Sequence, residues 1–336
     1  MTRFYLGDYA EARLAAAATL RDGERTGDRE QVGRALNALA LVSTAAGAPG
    51  EAMDYCERAV EILDDPATWP RLASVHWLLA LNRIYTAQFD SALAQLQRCV
   101  TLADSVGDGK LRSMAEGLES WVHAARGDGG AAMDCAQHAL AASRGTIPTS
   151  LALRWVGYAH LDQGNARAAI DVLERACEQI EHFPVRHTYV ESLAFLAEAH
   201  VLANDAARGL ELARRAADLA QMEGSPFNAG LAERAAGRAA RATGDSPGGE
   251  AHLGRALEAF ESTGATFEAA MTRLELVRVL AARGETPGAQ AYLAEAIAAL
   301  QAARVPRRVA EARALARALG LEFPGAEPEV PDSATV

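Results

Sequence analysis

Small and apolar residues return along this chain at intervals of forty positions, and turn residues return with them. The turns fall at Gly7-Asp8, Gly47, Ala87-Gln88, Gly127-Asp128, Gly164-Asn165, Asn204-Asp205, Gly244-Asp245 and Gly284-Glu285; each interval is forty residues except the thirty-seven between Gly127 and Gly164. Five residues after each turn stands a small residue: Ala12, Ala52, Ala92, Ala132, Ala169, Gly209, Gly249 and Ala289. Seven positions further on comes Thr19, Ala59, Cys99, Ala139, Ala176, Ala216, Ala256 and Ala296, two helical turns along the same face. Between them lie Ala16, Cys56, Leu96, Ala136, Leu173, Ala213, Leu253 and Leu293, the apolar stripe of a second helix.

The segments before the turns read as first helices, with apolar positions such as Leu36, Leu39 and Ala40 before Gly47 and Leu196 and Ala197 before Asn204. Gly27-Asp28, Gly107-Asp108, Gly224 to Pro226, Gly264 and Pro306 separate one pair from the next, as residues that end a helix or cap its successor. No strand-like alternation persists, so the pattern predicts an all-α solenoid of antiparallel helix pairs. Such a stack buries each apolar face against its neighbours only, which removes the size limit of a single core. One domain is expected over residues 1–321, about eight hairpins with a truncated first repeat and a terminal cap helix from Pro306, followed by a disordered acidic tail over 322–336. The three residues missing from the short repeat are expected to come out of the linker at Gly145 to Pro148.

The N-terminus begins inside a repeat, which leaves two expectations: the chain is a fragment of something longer, or Phe4, Tyr5 and the apolar side of the Glu11 to Arg25 helix are covered by another surface, a homodimer contact among them. The net charge of −11 argues against wrapping nucleic acid, and no run of about eighteen apolar residues suggests a membrane span, so a cytoplasmic protein is the default expectation. Cys56, Cys99, Cys135 and Cys177 fall one per repeat near the small-residue seam and read as buried thiols packing as small hydrophobes. His123, His160 and His200 occupy one place in three successive repeats, too far apart to share a metal ion. No hydrolase, zincin or phosphate-loop motif is present, so neither enzyme activity nor a cofactor is expected.

Gly7-Asp8-Tyr9 with Ala12, and Gly157 with Gly164-Asn165, Ala169 and Ala176, resemble the tetratricopeptide repeat. The forty-residue period resembles its longer-helix variant in the C-terminal sensor regions of large bacterial transcriptional activators, including antibiotic regulators of actinomycetes. The segment Leu257 to Ala265 is typical of those regions. The resemblance covers nearly the whole chain. It implies a right-handed superhelix whose first helices line a concave groove, with positions ten, six and two before each turn facing inward. Those positions place Trp77, Tyr85, Trp121 and Tyr158 in an aromatic zone, and Arg154, Arg234, Arg238 and Arg278 beside it, with Arg241 at the edge of the arginine cluster.

Two readings of these residues stand. In one, the chain is a non-catalytic regulatory module whose groove captures a peptide, a protein segment or a small acidic effector, because guanidinium groups clamp planar oxyanions. In the other, the tryptophans pack between repeats, the arginines pair with Glu233, Glu198 and their neighbours, and the chain is a scaffold acting through its ends or convex face.

Overall fold

The computed structural model describes residues 9–63, 65–183 and 186–322. Among them the chain forms sixteen α-helices and no strand. They are α1 (Tyr9–Thr26), α2 (Arg29–Ala45), α3 (Pro49–Ile62), α4 (Trp69–Tyr85), α5 (Phe89–Val106), α6 (Gly109–Ala125), α7 (Gly129–Ala142) and α8 (Thr146–Asp162). Then follow α9 (Ala166–Ile180), α10 (Arg186–Leu202), α11 (Ala206–Glu223), α12 (Pro226–Ala242), α13 (Ser246–Ser262), α14 (Thr266–Ala282), α15 (Thr286–Ala302) and α16 (Pro306–Ala318). The Gly7-Asp8 turn, Phe4, Tyr5 and the tail from Phe323 onward lie outside the described residues. No helix among those described is long and apolar enough to cross a membrane.

The hairpin turns share one backbone solution. At every turn from Gly47 onward the first turn residue takes a positive φ, including Ala87 at 57° and Asn204 at 65°. The next residue's N–H then reaches back to the carbonyl five positions earlier, as in Ala48 to Ser43 at 2.9 Å and Asp128 to His123 at 2.8 Å. This ending satisfies carbonyls that the helix leaves without partners. Asp28, Asp108, Asp128, Asp205 and Asp245 cap the helices that follow, each accepting from a backbone N–H three residues on.

The seam between paired helices is buried as its spacing predicts: the first small series and the intermediate stripe are closed to solvent from Ala12 to Leu293, and in the second series only Thr19 is half-exposed. Serines enter this seam where their hydroxyls meet a carbonyl of the partner helix, Ser113 to Ala139 and Ser120 to Ala132, both at 2.7 Å. In the short repeat α7 stops at Ala142 after 14 residues, as α3 does at Ile62 in a repeat of full length, and the connection to the next first helix is the shorter part, 143–145 against 63–68; Ile147 and Pro148 already belong to the first turn of α8.

First helices of successive repeats touch one another, α6 with α8 and α10 with α12, whereas second helices make no comparable contact. The first helices therefore line the inside of the coil. That inside is not left to neighbours alone, which corrects the expectation of strictly local cohesion. Tyr9 at the start of α1 shares a side-chain hydrogen bond with Glu223 at the end of α11. A Cβ on Gly47 would come within 2.7 Å of the Thr263 methyl, so this turn lies directly on the α13–α14 connection. Tyr85 stacks on Phe227 with ring centres 4.3 Å apart, and Phe89 meets Phe267 edge-on at 5.5 Å.

The last rung is polar. Arg307 donates to the Gly127 carbonyl at 2.7 Å, and Arg308 donates to the carbonyls of Ala124 and Ala125 while pairing with Asp162. The start of α1 and the hairpin turns at Gly47, Ala87 and Gly127 thus sit on the opposite ends of repeats much later in the chain.

Two stability outcomes follow. Ala87→Gly relieves a left-handed backbone at a non-glycine residue and is expected to raise unfolding free energy by about 0.5–1 kcal/mol in urea titrations. Arg308→Ala strands the half-buried Asp162 carboxylate and the end of α6; it is expected to cost about 3 kcal/mol and to expand the radius of gyration measured by small-angle scattering.

Candidate functional site

The inner face of the coil is built by the first helices, whose inward positions recur every repeat and carry the aromatic and arginine residues. In the middle repeats this face is packed solid. Gly117 stands at an inward position because the Trp155 indole lies on it; a Cβ there would be 2.2 Å from the Trp155 Cδ1. Trp121 is 5% exposed and stacks on Trp155 at 5.4 Å. Phe227, from a repeat far along the chain, closes over Tyr85 and Trp121, the latter at 6.1 Å. Tyr158 is half-buried and packs on Phe195 at 4.8 Å. Burial raises the phenols of Tyr85 and Tyr158 well above their ordinary range. Trp77 is half-buried between the two parts of the apolar core, and its indole N–H donates to the Met114 carbonyl at 3.2 Å.

The arginines divide into two groups. Arg154 is buried, lies 4.4 Å over the Trp155 ring and pairs with Glu191. Arg234 is buried between Glu198, at 3.3 Å, and Glu268. These two tie first helices together across the repeat spacing, and neither offers a free edge to solvent. Arg238, Arg241 and Arg278 stand instead toward the turn ends of α12 and α14 and are partly exposed.

All three converge on Glu275: Arg238 at 3.2 Å, Arg241 at 3.7 Å and Arg278 at 3.8 Å. Arg238 also donates to Glu198 at 2.6 Å. Burial pushes the Glu275 carboxyl up, but Arg238, Arg278, Arg241 and Arg234 outweigh it and hold the group below the usual carboxylate range. Four guanidiniums therefore face three carboxylates, Glu198, Glu268 and Glu275, leaving one positive charge in excess. The Nε atoms of Arg238 and Arg241 are buried without an acceptor. Leu202, 43% exposed, occupies the corresponding turn-end inward position on α10 and adds an apolar edge.

The predicted set is thus brought to one inner face but not to one open surface. Trp121, Arg154 and Arg234 are interior packing residues; Arg238, Arg241 and Arg278 form an accessible cluster; Trp77, Tyr85 and Tyr158 are half-buried. Glu233, expected among the arginines' partners, pairs instead with His252 at 2.7 Å and Arg255 at 3.0 Å. Sequence reading missed Glu275, the hub of the arginine cluster, and Phe227, which covers Tyr85 and Trp121. Glu275 stands three residues before Arg278 and could have been found as its i,i+3 partner. Nothing local signals that Phe227 meets Tyr85.

The three aligned histidines are kept apart. His160 is half-buried with an unpartnered Nδ1, and His200 approaches Asp205 of its own turn at 3.5 Å. His123 lies with Glu119 and Cys135, the three offering ligand atoms within 4.8 Å of one another. Cys56, Cys99 and Cys177 are buried as expected, but Cys135 is only half-buried.

No family model and no curated protein matches the sequence. Among solved structures, the chain is similar to a Rap protein complexed with competence and sporulation factor, with a TM-score of 0.61 and 13% identity over 86% of this chain and 82% of that one. It is similar as well to the Cut9–Hcn1 hetero-tetramer of the APC/C, with a TM-score of 0.56 and 12% identity over 80% of this chain and 47% of that one. A third is a signal transduction ATPase with numerous domains from Pyrococcus horikoshii, which carries a tetratricopeptide repeat sensor; there the TM-score is 0.54 and the identity 16%, over 86% of this chain and 42% of that one. The chain spans less than half the length of these last two. The fold is a tetratricopeptide-like helical solenoid.

Proposed function

We propose that the chain is a non-catalytic binding module that captures an acidic peptide or protein segment on Arg238, Arg241 and Arg278, toward the turn ends of α12 and α14. The carrying observation is the arginine cluster itself, where guanidiniums outnumber carboxylates and the Arg241 and Arg278 side chains remain partly exposed. A guanidinium fork suits planar oxyanions such as carboxylates. Leu202 beside the cluster provides apolar contact, whereas the packed middle of the coil confines the ligand to the rim.

Two of the similar structures lend support from outside the chain: one is a Rap protein holding a factor, the other an ATPase in which this architecture is the sensor. In that light the module serves as the sensing part of a regulator, of the kind the sequence resembles in bacterial transcriptional activators, and works in the cytoplasm. A scaffold role at the N-terminal end rests on a different observation, Leu14 on α1, which is 71% exposed.

A synthetic peptide array probed with the full chain is expected to enrich sequences with clustered Asp or Glu, and capture is expected to weaken as salt rises. Arg241→Ala with Arg278→Ala is expected to lower affinity for the enriched peptides by about ten-fold or more, with helicity by circular dichroism unchanged. An array without acidic preference, or equal capture by the double variant, overturns the assignment.

A further inference from the structure

The hairpin of α6 and α7 differs from its relatives at one buried place. Eight residues before each turn the chain carries Leu39, Leu79, Glu119, Val156, Leu196, Ala236 and Leu276. The six apolar members are all buried against the core. Only here does a carboxylate occupy the position. Glu119 is half-buried and makes no hydrogen bond or ion pair within the described residues, and burial holds its carboxyl above the usual carboxylate range. An apolar side chain at this position would avoid that desolvation cost entirely.

The residues that surround Glu119 are also ligands. His123 follows one helical turn later on the same face of α6, and Cys135 comes from the facing part of α7. One Nδ1 or Nε2 of His123, the Sγ of Cys135 and a carboxylate oxygen of Glu119 lie within 4.8 Å of one another. No side-chain hydrogen bond engages His123 or Cys135 among the described residues. The equivalent places in the next two repeats keep the histidine but lose the rest: His160 has Val156 and Val172, and His200 has Leu196 and Leu212. The chain thus contains its own comparison, with a ligand trio in one hairpin and a histidine among aliphatic side chains in two others.

We propose that Glu119, His123 and Cys135 form a binding site for a divalent metal ion of zinc type. Sulfur, imidazole nitrogen and carboxylate oxygen are the donors that zinc takes, at bond lengths of about 2.0–2.3 Å. Ligands around a tetrahedral ion at those lengths stand about 3.5 Å apart. Side-chain rotation of the order of 1 Å therefore closes the trio on an ion, without movement of the helices. The charges also balance. Binding releases the Cys135 thiol proton to solvent, and one thiolate plus one carboxylate neutralise the dication, which suits a half-buried site. The fourth position is left to water.

The test uses the tag-free full chain, stripped of metal, dialysed against zinc and measured for metal content, with cobalt(II) as a spectroscopic substitute. One equivalent of zinc per chain is expected, with thiolate-to-cobalt charge-transfer absorption and tetrahedral d–d bands. Cys135→Ser is expected to remove the charge-transfer band and to weaken zinc binding by roughly ten-fold or more. Glu119→Leu restores the residue type of the other repeats; it is expected to abolish tight binding while leaving the metal-free protein more resistant to urea. Zinc retained below one equivalent, or retained equally by both variants, overturns the site. Since Glu119→Leu is expected to fold better than the parent, loss of binding in it cannot be ascribed to unfolding.

Discussion

Close approach of helix backbones along a seam of alanine and glycine is the constraint on which this structure rests. A side chain longer than a methyl at the position five residues after each turn would push the paired helices apart. Gly209 shows how little room exists, because a Cβ there would fall 2.7 Å from the Val201 methyl and 2.9 Å from the Ala197 carbonyl. Tight pairing fixes each hairpin as a rigid unit, and rigid units stacked with a constant offset bring the inner faces of the first helices onto each other. The aromatic stack and the inner ion pairs are consequences of that convergence.

The arginines inside the coil illustrate how charge is used when it is enclosed. Arg234 lies on α12 and reaches Glu198 on α10 and Glu268 on α14, so one guanidinium spans three successive first helices. Buried ion pairs of this kind repay their desolvation only with good geometry, and their effect is better described as setting the spacing of the repeats than as adding net stability. Toward the turn ends of α12 and α14 the same chemistry is left incomplete. There Glu275 serves three arginines at once, and guanidiniums outnumber carboxylates.

Much of this was legible in the sequence because it is local. A residue with positive φ followed by a cap, then a small residue five positions on, is a statement about a dozen consecutive residues, and it repeats. Even the exceptions were partly visible, since Ala87 and Asn204 stand where the other turns carry glycine. What could not be read was whatever joins positions several repeats apart. Phe227 over Tyr85 and Arg308 under α6 carry no periodic signal, because each occurs once and its partner lies on another level of the coil. The Glu119, His123 and Cys135 trio falls between these cases. Each residue sits at a repeat-equivalent place, but the odd carboxylate becomes informative only when it is compared with the leucines of its counterparts.

The rungs that join the early turns to the later connections have a bearing on how such a protein can change over generations. A chain held together only from one unit to the next tolerates duplication or loss of a unit, since the ends simply move along. Here a unit inserted between Gly127 and Arg307 would carry Arg307 and Arg308 past the carbonyls they meet, and every other rung spanning the insertion would lose its landing place. The number of repeats is thereby locked, and variation is driven instead into individual side chains on the rim and in single hairpins.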